Sequence, residues 1–276
     1  MCNELFADWT LEQACRRCAE LGYAGLELAP FTLAPQGLDR AAPGLLRQAR
    51  RTAAACGLEL IGLHWLLVGP QGLHLTSPDA AVRRRTAGYL CTLVEGCAEM
   101  GGRLLVLGSP KQRSLAPGQA RADGLALAAE TLRPAVERAA AAGLRWCLEP
   151  LPAVDTNFLN TLQECLELDR LLGGGPALGV QLDAKSLCAE AADPRRPEGP
   201  VLAHAADAGR FAHLHANDRN LGAPGSGDVD FGPLFAALRQ VGYAGWTSVE
   251  VFDTRAGAEA IARDSLAYLR SALGAP

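Results

Sequence analysis

The chain has 276 residues, with 26 basic against 30 acidic side chains and a formal net charge of −4. That balance argues against a nucleic-acid binder, which carries a basic stripe, and no apolar run reaches the roughly 18 residues a membrane helix needs. With 49% hydrophobic and 20% charged residues the chain is expected to be globular with a sizeable core.

Taken in chain order, short apolar runs at 2–6, 25–29, 58–65, 103–109, 144–149, 178–183, 211–216 and 246–251 are predicted strands. Amphipathic stretches at 10–21, 40–55, 79–100, 118–141, 160–172, 198–208, 231–241 and 256–272 are predicted helices between them. Gly22, Gly57, Gly143 and Gly242 sit where left-handed helix ends are wanted. Ser77-Pro78 reads as the start of the third helix. The strand ends Phe6, Pro30, Trp65, Ser109, Glu149, Asp183, His215 and Glu250 recur roughly every 35 residues, the period of a single closed (β/α)8 TIM barrel spanning residues 1–276. The junction Gly22-Tyr23-Ala24-Gly25 recurs as Gly242-Tyr243-Ala244-Gly245. The first strand is short: either it is truncated, or the chain starts downstream of a true beginning. A doubly wound open sheet would want a Gly-rich phosphate loop after its first strand, where this chain has Ala7-Asp8-Trp9-Thr10.

The nine cysteines, scattered through apolar segments, fit buried thiols in a reducing cytoplasm better than a disulfide framework. Cys15 and Cys18 form a C-x-x-C inside a helical pattern without a second pair at zinc spacing, and are read as structural. No basic segment followed by an apolar stretch opens the chain, so no secretory leader is expected.

Barrel active sites lie at the C-terminal ends of the strands. Here the last four strands finish in Glu149, Asp183, His215 and Glu250. Four ligand-type residues converging on an apolar mouth would repel or stay unpaired without a cation. Three carboxylates and an imidazole suit one hard or borderline divalent ion, Mn²⁺ first, with Mg²⁺, Co²⁺ and Zn²⁺ as alternatives.

Leu148-Glu149-Pro150-Leu151, Gln181-Leu182-Asp183, His213-Leu214-His215 with Asp218, the run Ala223 to Asp228, and Gly242-Tyr243-Ala244-Gly245 through Glu250 carry a resemblance. Together they resemble the xylose isomerase-like TIM barrels, and within them the sugar phosphate isomerase/epimerase family, similar to ketose 3-epimerases such as tagatose 3-epimerase. The resemblance implies Glu149, Asp183, His215 and Glu250 as metal ligands, with Glu149 and Glu250 also the acid–base pair. It places His213 one layer below the ligand His215. It also implies a sugar or polyol substrate. Family members often dimerise, so a homo-oligomer is open to this chain, though no surface patch in the sequence specifies one.

Three positions depart from the epimerase pattern. Ser186 stands where the epimerases carry a histidine, Leu221 where they carry an arginine, with Arg219 nearby, and Asp155 where they carry a glutamate. Asp155, Ser186 and Arg219 are therefore candidate substrate contacts. Lys111 and Lys185 are the chain's only lysines, and both fall in loops at the expected catalytic face. Lys185, near a cation, is a candidate acid or base with a lowered pKa. Lys111 and Arg113 are candidates for holding an anionic group of the substrate. His64 is a candidate donor to a sugar hydroxyl and Trp65 a candidate surface for a sugar face. Glu27 is open between substrate contact and barrel residue. His74 and His204 are read as surface residues, and Asp228 and Asp230 as helix caps.

The expected function is a divalent-metal-dependent isomerase or epimerase of a small keto sugar or polyol, working through an enediolate. The alternative is a metal-dependent lyase on the same site, an inosose-like dehydratase or a 3-keto-glycoside elimination. An endonuclease IV-like repair enzyme would need more than the five histidines present. A noncatalytic sugar-binding derivative would have no reason to keep four ligands.

Overall fold

The computed structural model describes residues 1–274. Seven strands run parallel in sequence order: β1 Gly25–Leu28, β2 Glu59–Leu63, β3 Leu104–Leu107, β4 Arg145–Leu148, β5 Leu178–Asp183, β6 Phe211–Ala216 and β7 Thr247–Val249. Among the described residues ten α-helices surround them: α1 Leu11–Leu21, α2 Pro30–Leu33, α3 Leu45–Ala55, α4 Ala80–Met100, α5 Arg121–Ala142, α6 Leu162–Leu171, α7 Ala184–Glu190, α8 Glu198–Ala203, α9 Phe231–Gln240 and α10 Ala258–Leu273. The result is a TIM barrel.

The predicted first strand shrinks to one pairing position. Cys2 bridges Glu27 of β1 in parallel, and its N–H donates to Val249 O of β7 at 3.0 Å. On the other side Glu27 N–H donates to Met1 O at 2.9 Å. Two residues thus span the gap between first and last strands and close the barrel. Residues Asn3–Phe6 are a 3-10 turn, not strand. The reason lies in Asn3, whose buried side chain takes over the ladder: Oδ1 accepts from Ala29 N at 2.7 Å and Nδ2 donates to Thr32 Oγ1 at 2.8 Å. With that bond made by a side chain, the backbone is free to coil.

Two other boundaries move. Helix α4 starts at Ala80 with Asp79 as its N-cap, accepting from Ala81 N at 2.7 Å, two residues after the expected Ser77-Pro78 start. Helix α7 has no counterpart among the predicted helices. It follows β5 directly because Asp183 caps it, accepting from Ser186 N at 2.8 Å. The four glycines expected to be left-handed all are, with φ from +68° to +97°. Cys15 and Cys18 are buried free thiols on the inner face of α1, which opens with a Thr10–Gln13 capping box. Asp230 caps α9 as expected.

Inside the barrel Leu104, Val106 and Cys147 form a small apolar plug. Above it lies a polar layer. Period-two alternation puts Gln181 below Asp183, His213 below His215 and Ser248 below Glu250, and Glu27, Gln181, His213 and Ser248 are all fully buried.

Asn3→Ala leaves the buried Ala29 N–H without a partner and is expected to lower the unfolding free energy by about 1–3 kcal/mol. Denaturant titration checks this, and an unchanged midpoint would refute the closing role of Asn3.

Candidate metal centre and active site

Glu149 and Glu250 are the first residues past β4 and β7, Asp183 ends β5, and His215 is the penultimate residue of β6. Each side chain offers one ligand atom, and the four atoms lie within 4.8 Å of one another. All four residues are buried. His215 turns Nδ1 toward the cluster, 3.1 Å from Glu250 Oε2 and 4.0 Å from Glu149 Oε1.

Three of the four are held by a neighbouring side chain. His215 Nε2 meets Glu27 Oε1 at 3.0 Å, and His213 Nε2 meets the other oxygen of Glu27 at 2.7 Å. Asn217 Nδ2 donates to Asp183 Oδ2 at 2.6 Å, while its Oδ1 accepts from Lys185 N at 2.9 Å. Trp65 Nε1 donates to Glu250 Oε1 at 3.0 Å. Trp65 adopts φ +52°, a left-handed conformation uncommon outside glycine, which aims the indole into the site. Glu149 lies over Gly108, where an added Cβ would come within 2.1 Å of Oε2. Only glycine leaves room for that carboxylate.

The electrostatics show strain among like charges. Burial, then Glu250 and Asp183, push the Glu149 carboxyl up to about 8. Burial pulls His215 down, but Glu250 and Glu27 outweigh it and hold the imidazole well above its ordinary value. Burial would raise Glu27, yet His215 and His213 keep it well below the usual carboxylate range.

A cavity of about 190 Å³ lies over this cluster. His64 and Trp65 line it, as do Asp155 and Lys185. Trp65 packs edge-on against Phe252, ring centres 6.2 Å apart. His64 is bound by Glu4, which the sequence reading did not single out, at 2.7 Å. Lys185 does not meet the expectation of a lowered pKa. Burial acts downward, but Asp183, Asp155 and Glu149 prevail and raise it. The ammonium stays charged, 2.8 Å from Asp155 Oδ2 and 5.1 Å from the Phe252 ring centre.

Four other expected substrate contacts stand away from the cavity lining. Arg113 is 1% exposed, and its guanidinium donates to the Glu149, Leu107 and Leu159 carbonyls. It ties the ends of β3 and β4 to the loop at Leu159, and two of those carbonyls also accept a backbone N–H, Leu107 O from Glu149 N at 3.3 Å and Leu159 O from Leu151 N at 3.0 Å. Lys111 is exposed on the turn Pro110–Gln112. Ser186 is buried under Asp183 at the start of α7. Arg219 forms a two-point pair with Asp228 at 3.0 and 2.9 Å outside the cavity. Glu27 proves to be a barrel residue beneath the histidines. Asn217 and Gly108 were not anticipated; only their places beside strand ends hint at them. His74, read as a surface residue, is half-buried, and burial lowers its pKa.

A family model described as xylose isomerase-like TIM barrel matches residues 15–272. The chain belongs to that family. Among curated members it is 31% identical to a ketose 3-epimerase of Arthrobacter globiformis over 195 residues, 68% of this chain and 63% of that one. The chain thus spans less than two thirds of that relative. It is 28% identical to a probable ketose 3-epimerase of Synechocystis over 226 residues, 73% of each. Among solved structures, D-psicose 3-epimerase from Clostridium cellulolyticum H10 superposes with a TM-score of 0.80 at 20% identity, covering 96% of this chain and 94% of that one. A 3-keto-D-glucoside 4-epimerase from E. coli gives 0.78 at 20% identity, covering 95% and 94%. At such identities the structural likeness carries the fold alone.

The raised Glu149 and His215 values have a measurable consequence. A group that binds its proton more tightly when folded contributes stability present below its unfolded pKa and lost as pH rises through the folded one. Both groups share that sign, while Glu27 acts only below the normal carboxylate range. Chelator-treated protein is therefore expected to lose thermal stability as pH rises from about 6 to 9. Glu149→Gln should flatten the slope; an equal slope in that variant would show that the charge cluster is not its source.

Proposed function

We propose that this protein is a divalent-metal-dependent epimerase of a keto sugar. The observation that carries the reading is the convergence of Glu149, Asp183, His215 and Glu250. Three carboxylates crowded with an imidazole fit a divalent cation by donor chemistry, and Glu149, raised by burial and then by Glu250 and Asp183, is a carboxyl whose charged form a cation would favour. Mn²⁺ suits this oxygen-rich set best. When bound, the ion would supply Lewis acidity that lowers the cost of negative charge beside the substrate carbonyl.

The side chains do the rest. Glu149 and Glu250 come from non-adjacent strands, so one carboxylate removes the proton next to the carbonyl and the other returns a proton from the opposite face. Trp65 fixes the Glu250 carboxylate, and its indole offers a surface to the sugar ring. His64, held by Glu4, reaches the same cavity as a hydroxyl partner. Lys185 acts as a charged donor to substrate oxygen, with Asp155 as its partner, and not as the base. The sequence relatives named ketose 3-epimerase support this chemistry. The nine free thiols support a cytoplasmic setting, and no helix among the described residues is long and apolar enough to cross a membrane. We take residues 1–276 as one barrel domain.

Metal-loaded protein incubated in D2O with ketoses, inososes and 3-keto glycosides should place deuterium beside the carbonyl with the carbon skeleton retained, as followed by NMR. Release of water or aglycone would replace epimerisation by elimination. Glu250→Gln should cut exchange by about 10²-fold or more, and full turnover in that variant would refute the mechanism.

Glu27 is expected to orient His215 for the metal. Glu27→Gln should weaken divalent-cation binding by about 10–100-fold in calorimetry. Gly108→Ala should also weaken binding while leaving thermal stability of the metal-free protein nearly intact, because only the free end of Glu149 has to swing aside. Wild-type affinity in both variants would show that the carboxylate and imidazole are not the ligands.

A further inference from the structure

Beside the catalytic cavity runs a second, open groove of about 780 Å³. The two share Asp155, Lys185 and Leu221 as lining, so the groove begins where the cavity ends. The Lys185–Asp155 ion pair stands at this waist, with side chains 15% and 33% exposed. Helix α7 joins the two spaces: Lys185 faces the cavity, and Cys188 and Ala189, three and four residues on, line the groove.

The groove is not an ordinary solvated surface. Val154 is 92% exposed and Leu221 44%, and both line it, whereas most leucines and valines of the chain are buried. Leu221 is held there. Its φ is +67°, and its carbonyl accepts from Phe252 N at 3.0 Å and Asp253 N at 2.8 Å, tying the loops after β6 and β7 together. A non-glycine residue fixed in that conformation with its apolar side chain outward is strain retained at an opening. The groove is also lined by Asn220 and the Arg219–Asp228 pair, so apolar positions alternate with polar ones, which suits a sugar ring with its C–H faces and hydroxyl rim.

We propose that the substrate is a keto sugar bearing a glycosidically linked second ring: the keto ring occupies the cavity, the linkage passes the Lys185–Asp155 pair, and the second ring lies along the groove against Leu221 and Val154. This rests on the epimerase reading above and names its substrate class.

The test compares α-deuterium exchange of three probes by metal-loaded protein: a free ketohexose, the 3-keto form of methyl glucoside, and a 3-keto disaccharide. The disaccharide should show the highest kcat/KM, by about tenfold or more over the free ketose. Ala189→Trp, which fills the groove from α7, should lower the ratio of disaccharide to free-ketose kcat/KM by about tenfold or more, and Ala189→Ser should keep it. Exchange that favours the free ketose, or a ratio unmoved by Ala189→Trp, overturns the proposal alone. A dimer that Val154→Asp dissociates overturns it too, since a second copy would then cover the groove. Absence of exchange with all three probes overturns the epimerase reading, and this proposal with it.

Discussion

Like charges gathered in a water-poor barrel mouth are the constraint around which the rest of this structure is organised. Glu149, Asp183 and Glu250 converge with His215, and burial, followed by the charges of Glu250 and Asp183, pushes Glu149 up to about 8. Such a cluster holds its geometry better where its members are restrained by groups outside it. The fold supplies a separate restraint for three of them, Glu27 behind His215, Asn217 behind Asp183 and Trp65 beside Glu250, while the bare backbone of Gly108 leaves room for Glu149.

Those restraints come from elements distant in sequence, and barrel closure is what brings them in. Glu27 lies on β1 and His215 on β6, yet they touch because Met1 and Cys2 pair with β1 on one side and β7 on the other. Closure also seals the polar layer in which Glu27 joins two imidazoles. Arg113 does comparable work from outside that layer, binding carbonyls at the ends of β3 and β4. Its burial removes it from the substrate and gives it to the scaffold.

Much of the site is legible in the chain because a parallel barrel converts order into position. A polar residue at the end of a short apolar run, in four successive strand–helix units, falls at one face by the geometry of the fold. That logic finds Glu149, Asp183, His215 and Glu250 without knowing what they touch. It fails for loop residues, whose local sequence does not say whether a side chain turns inward or out. Arg113 and Arg219 look alike as loop arginines; one is buried on backbone carbonyls and the other pairs with Asp228 at the surface. It also fails where a side chain replaces a backbone bond, as Asn3 does at the truncated first strand.

The sequence by itself determined the alternation of strands and helices, the barrel they build and the ligand-type residues at its mouth, because these depend on local periodicity and on chain order. The tertiary structure alone decided which side chains stand behind those residues. It brought Glu27 beneath both histidines, kept the Lys185 ammonium charged among carboxylates, and placed helix α7 between the cavity and the groove. These outcomes depend on distances between strands far apart in sequence and on burial, and neither quantity is encoded in any local run of residues.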